Sequence, residues 1–182
     1  MAWTVFITLL SASFLNGCVP ASDDYGFSIS DVRIAPGHQK ITASVQQDLS
    51  LSREAVTALE NGVPLTLMLE MELRDAVNLT LLADDVRQFE IRFLPLEEFF
   101  QLTDNQSNEV KSYPRLRHVM NELASLRIDF TTGPLAPGSY EYRARIKLDN
   151  ASLPAPMHLP ALFSADWKHN SEWSTWPFEI NA

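Results

Sequence analysis

Two stretches of the chain alternate between apolar and mostly water-loving side chains, and no other feature limits the fold as much. In the first, Leu65, Leu67, Leu69, Met71 and Leu73 point one way, and Thr66, Met68, Glu70, Glu72 and Arg74 point the other. In the second, Tyr140, Tyr142, Ala144, Ile146 and Leu148 oppose Glu141, Arg143, Arg145, Lys147 and Asp149. A period of two is that of a β-strand, whose successive side chains leave opposite faces of a sheet. One oily face and one wet face suit antiparallel strands over a shared core and exclude a parallel sheet buried on both sides. Shorter runs repeat the pattern at Ile41–Val45, Phe89–Phe93 and Leu126–Phe130.

The segments between these runs supply turns and connections. Phe27, Ile29, Val32 and Ile34 predict a first strand whose phase slips at Asp31, as at a bulge. Pro36-Gly37 turns it back onto the second strand. Ser50 or Ser52 caps a short helix with Leu51, Ala55, Val56 and Leu59 on one face, ended by Asn61-Gly62 and Pro64. Asp75–Asp85 is irregular and predicts a loop with a short strand at Leu79–Leu82. Asp104–Asn108 predicts a hairpin turn joining Phe99–Thr103 to Val110–Tyr113. Pro114 opens a second helix carrying Leu116, Val119, Met120 and Leu123. Pro154, Pro156 and Pro160 predict an irregular, exposed crossover. The expectation is a mainly β fold: an antiparallel β-sandwich, Ig-like or a bent sheet, of seven to nine strands with two short connecting helices, in one domain over residues 26–182.

Composition narrows the role. A net charge of −9 is the wrong balance for a chain that neutralises phosphates, so nucleic acid is not an expected partner. A single cysteine excludes an internal disulfide and a multi-cysteine zinc site. Residues 1–17 are uncharged and apolar, too short for the roughly 20 residues of a membrane span, and read as a secretory signal. Leu15-Asn16-Gly17-Cys18 resembles the bacterial lipobox, which implies a Cys18 carrying lipid at the mature N-terminus and, with Val19 next, retention at the outer membrane. Residues 18–25 are then a tether. Cleavage after Val19-Pro20-Ala21 and an inert, buried Cys18 remain open alternatives.

Candidate chemistry concentrates in the tail. Asp166, Trp167, Glu172, Trp173 and Trp176 make either a recognition surface for peptide, glycan or another envelope protein, or a set of indoles closing one end of the core. The packing role is preferred. His118, His158 and His169 sit on separate segments with no metal-ligand spacing, so no metal is assigned. No Gly-x-Ser-x-Gly elbow and no phosphate-cradling glycine loop occurs, and Asp84-Asp85 and Glu97-Glu98, as strand neighbours, point apart. No catalytic residue and no cofactor is assigned. The stripe Arg143, Arg145 and Lys147 is expected to pair with Glu70 and Glu72 across neighbouring strands.

Asp166-Trp167, Ser171-Glu172-Trp173 and Trp176-Pro177, with Leu59–Thr66, Tyr140–Arg145, Leu148-Asp149 and Leu153-Pro154, resemble the DUF4390 family of proteobacterial exported domains over nearly all of residues 26–178. The resemblance implies an envelope protein with no assigned activity, whose genes often neighbour a membrane sensor kinase. The expected role is a non-enzymatic, protein-binding or structural module in the periplasm. Alternatives are a glycan-processing enzyme or accessory using Asp166, Glu172 and His169, and a periplasmic modulator of such a kinase.

Overall fold

The computed structural model describes residues 25–181, so the signal segment, Cys18 and the tether up to residue 24 lie outside the described residues. Among the described residues, nine strands form two antiparallel sheets. The narrow sheet has the order β1-β2-β7, from Gly26–Pro36 (β1), Lys40–Ser50 (β2) and Ser125–Thr131 (β7). The wide sheet has the order β6-β5-β4-β3-β8-β9. Its strands are Leu65–Asp75 (β3), Leu81–Leu94 (β4), Phe99–Asp104 (β5), Glu109–Tyr113 (β6), Gly138–Leu148 (β8) and Ser174–Ile180 (β9). Their oily faces meet in a sandwich core.

The two alternating stretches are β3 and β8, and they pair at the centre of the wide sheet with Leu69 opposite Ile146 and Leu73 opposite Tyr142. Leu65, Leu67, Leu69, Leu73, Tyr142, Ala144 and Ile146 are wholly withdrawn from water. Burying each such large side chain contributes up to about 1.5–3 kcal/mol, so this strand pair anchors the fold. The phase slip in β1 is present as a register shift between Ile29 and Asp31. On the outer face, Arg143 meets Glu72 at 3.3 Å, and Arg145 and Lys147 both bond Glu70. Burial pushes the Glu70 carboxyl up, but the hydrogen bonds from Lys147 and Arg145 prevail and hold it below its ordinary value.

Helix α1 (Arg53–Glu60) is capped by Ser52, and the chain leaves it through Asn61 and a left-handed Gly62 at φ +87°. Helix α2 (Leu116–Ala124) begins two residues after Pro114, with Arg115 at the cap, and covers the inner side of β2, β5 and β7.

Two expectations are corrected. The proline-rich crossover is a third helix, α3 (Ala155–Phe163). Pro154 stands at its cap and Pro156 in its first turn, where no N–H is needed, so only Pro160 removes a rung. Asp75–Asp85 is not a loop with a short strand: a tight turn ends at Thr80, and from Leu81 the chain already belongs to the 14-residue β4. The Asp75 carboxylate builds that turn by accepting from the N–H groups of Val77 and Asn78 at 2.8 and 3.0 Å.

Candidate functional site

The two sides of the narrow sheet end differently. Along β1 the sheet packs down onto β8 and β9. Along β7 it stops short of the wide sheet and leaves a cavity of about 300 Å³. One wall is β7 itself at Ser125–Ile128, the other comes from β4, β5 and β6, and α2 closes one end with Glu122 and Leu123.

The floor is apolar and the rim is charged. Phe89 and Leu102 face inward from β4 and β5. Following the parity of Phe89 back along β4 puts Arg87 and Asp85 on the same inner face, opposite Leu69 and Met71 of β3. Arg87 meets Asp104 of β5 at 2.5 Å, and the two side chains are only 17% and 16% exposed. Burial raises the Asp104 carboxyl, but the Gln106 N–H and the Arg87 guanidinium overcome it and hold the group below its ordinary value. The Arg87 Nε is buried with no hydrogen-bond partner, and so is the Tyr142 hydroxyl deeper between the sheets. Burial, with the Asp85 charge adding to it, pushes the Tyr142 hydroxyl far above its usual value, so it stays a neutral donor. At the outer rim Lys111 of β6 bonds Glu122 of α2 at 2.7 Å. Each member of that pair favours the charged form of the other.

Among the described residues four strands stand at sheet edges, and edges invite pairing with foreign strands unless something blunts them. β1 has its bulge and lies against the wide sheet. β9 carries Pro177, and β6 is five residues long with Glu109 and Lys111 exposed. β7 has neither bulge nor proline: it pairs with β2 in unbroken register from Ser125 to Thr131, and no strand among the described residues takes its other edge.

The tail residues occupy separate settings. Trp167 is buried in a 3-10 turn, Ala165–Trp167, that packs against α1. Asp166 in the same turn accepts from the Tyr25 hydroxyl at 3.2 Å and from the Ser164 hydroxyl at 2.9 Å, while its carbonyl accepts from the Ser52 hydroxyl at 2.6 Å. His169 is buried between the rings of Tyr25 and Phe27, each centred 5.2 Å away. Its Nε2 accepts from the Ser52 N–H at 2.8 Å, which puts the proton of the neutral ring on Nδ1. Burial lowers its pKa, against a smaller pull upward from the Trp167 backbone and Asp166. Trp173 lies on the outer face of the wide sheet with the guanidinium carbons of Arg143 and Arg145 5.1 and 4.7 Å from its ring centre. Trp176 packs inward from β9, and Glu172 is exposed.

His118 on α2 is half-buried and His158 on α3 is exposed, with a ring nitrogen 2.6 Å from the Leu153 carbonyl. Among the described residues no three His, Cys, Asp or Glu side chains gather to hold a metal. Arg87 has no role in the sequence pattern, Asp85 enters it only as half of a carboxylate pair pointing apart, and Asp104 only as a turn residue. The available signal was the polar character of alternate positions just before Phe89, which broke the rhythm because those positions line the space between the sheets.

A family model for DUF4390, a domain of unknown function, matches residues 24–177. The chain belongs to the DUF4390 family. No curated protein and no solved structure matches it. The matched span of this DUF4390 member takes in every strand that walls the cavity and the tail as far as Pro177.

Proposed function

We propose that this DUF4390 member is an exported envelope protein, anchored through Cys18 in the inner leaflet of the outer membrane and facing the periplasm. There it binds an extended segment of another protein along the free edge of β7. The observation that carries the binding reading is that edge: a regular strand, undefended by bulge or proline, opening on a cavity. An incoming strand would take its main-chain hydrogen bonds from β7 and set alternate side chains on the apolar floor of Phe89 and Leu102. The charges of Arg87, Asp104, Lys111 and Glu122 around the rim would fix its register and sign pattern. The export and anchoring parts rest on residues 1–18, the apolar run followed by Leu15-Asn16-Gly17-Cys18.

The tail is not chosen as the binding site because its groups already hold the fold together. The Asp166 carboxylate accepts from Tyr25 and Ser164, and His169 Nε2 accepts from the Ser52 N–H. Trp167 is buried, and Trp173 sits beneath two arginines.

A photo-crosslinking side chain placed at Arg127 on β7, and separately at Ser28 on β1, tests the site in intact envelopes. The expected result is one discrete adduct from position 127, mapping to a short segment of the captured protein, and none from position 28. Equal yields from both edges, or none from position 127, would remove β7 as the docking edge. Intact mass of the native protein tests the anchor. A chain starting at Ser22 without lipid overturns it.

A further inference from the structure

We infer that the outward face of α3 is a membrane-contact surface that rests on the bilayer holding the Cys18 anchor. This rests on the anchoring reading above and adds which face of the domain meets the lipid. Leu159, Leu162 and Phe163 stand three and four residues apart, on one side of the helix, and are 69%, 66% and 80% exposed. Ala161 on the other side is buried. The helix carries no carboxylate, lysine or arginine, and its one titratable side chain, His158, is turned to the Leu153 carbonyl through a ring nitrogen at 2.6 Å, so little charge must be dehydrated when this face enters an interface.

The chain's own connectivity selects lipid as the occupant. Tyr25 is tied through its hydroxyl to Asp166, two residues beyond the Ser164 that ends α3. The tether therefore leaves the domain beside this helix. From Cys18 to Tyr25 is 25 − 18 = 7 residues. At about 3.3–3.6 Å per residue, that tether reaches at most about 25 Å. An acylated Cys18 thus keeps the bilayer within a short reach of α3. At the other end of the wide sheet, the turn bearing Val77 follows the far end of β3. The net charge of −9 disfavours a strongly anionic surface, so the contact is expected on uncharged lipid.

The test anchors the processed chain, residues 18–182, through its single thiol at Cys18 to a maleimide phospholipid in phosphatidylcholine vesicles with brominated acyl chains. A tryptophan probe is introduced as Phe163→Trp or, at the far end, as Val77→Trp. Both positions are exposed, and an unchanged melting temperature shows that each variant folds. The expected result is that bromine quenches the added emission at position 163 at least twofold more than at position 77. Replacing part of the lipid with phosphatidylglycerol should not strengthen it. Equal quenching at the two positions overturns the inference, as does quenching that requires the anionic lipid. Emission at position 163 that shifts with protein concentration in the absence of vesicles also overturns it, by showing that a second copy covers the patch. Intact mass of the native protein separates the two claims. An acylated Cys18 with equal quenching defeats the α3 contact alone. An unacylated native chain defeats the anchor, and the physiological contact with it.

Discussion

The two edges of the narrow sheet are built from the same kind of strand and meet opposite fates. At β1, Phe27 and Ile29 are buried, and the chain just before them is bolted to the tail through Tyr25, Asp166, Ser52 and His169. At β7, Ile128 and Phe130 are equally buried, yet the backbone edge beside them faces a cavity rimmed by ion pairs. The core is finished on both sides. What differs is what lies beside the outermost strand: β1 is bulged and packs onto β8 and β9, whereas β7 runs in unbroken register beside a cavity. A three-stranded sheet laid on a six-stranded one cannot cover it everywhere, and the cavity beside β7 is one place where it does not.

Truncation on the sealed side should have the largest effect. Phe27→Ala removes a ring packed on both the core and His169, and should cost about 3–5 kcal/mol in denaturant unfolding. Trp167→Ala belongs with it. Trp173→Ala, whose ring is half-buried beneath Arg143 and Arg145, should cost clearly less, about 1–2 kcal/mol. A Trp173→Ala loss as large as that of Trp167→Ala would show that the outer face of the wide sheet carries more of the fold than its burial indicates.

Ser52→Ala comes next. The hydroxyl caps α1 by accepting from Ala55 N–H at 3.1 Å and donates to the Asp166 carbonyl, so its loss should cost about 1–2 kcal/mol. Rescue of the melting temperature by Ser52→Thr would show that the hydroxyl, and not the side-chain volume, is what matters.

The same bolt should make the sealed side acid-sensitive. His169 is held neutral, with a pKa below its unfolded value of about 6.5, so the unfolded chain takes up the proton first. Its contribution is complete above about pH 6.5 and is lost as pH falls through the folded pKa. Protonated Nε2 would also turn a donor toward the Ser52 N–H. His169→Gln, which keeps an acceptor, should flatten the stability profile just below pH 6.5. It should leave unchanged the later acid loss from Glu70 and Asp104, whose carboxyls are held low. An unchanged slope would mean that the bolt does not titrate.

Much of this architecture was legible in the sequence because its strands obey a simple rule. β3 and β8 show their faces at every second residue, the bulge at Asp31 announces itself as a phase slip, and the Glu70 and Glu72 pairing follows from placing the strands side by side. The cavity wall was not legible. Asp85 and Arg87 occupy inward positions that a core strand fills with apolar groups, so a rule that equates inward with oily reads the start of β4 as irregular. The α3 helix was hidden for another reason. Prolines at a cap and in a first turn resemble those of a loop until the helix boundary is known. The tail drew attention for its tryptophans, but tertiary contacts decide their roles: Trp167 is covered by α1 and Trp176 by the core, while Trp173 lies outside beneath arginines.

Changes on the open side should barely alter stability. Arg127→Ala, on an exposed position of β7, should stay within about 0.5 kcal/mol of the parent in unfolding while weakening capture along that edge. A loss of several times that size would make β7's edge a structural element instead of a docking one.

The most direct measurement is residue-by-residue amide exchange of the protein with and without the peptide segment recovered by crosslinking. If that segment adds a strand, exchange should slow at every second amide between Ser125 and Thr131, with β1 unchanged. Slowing that is uniform along β7, or that falls instead on Trp173–Trp176, would contradict a docking edge at β7.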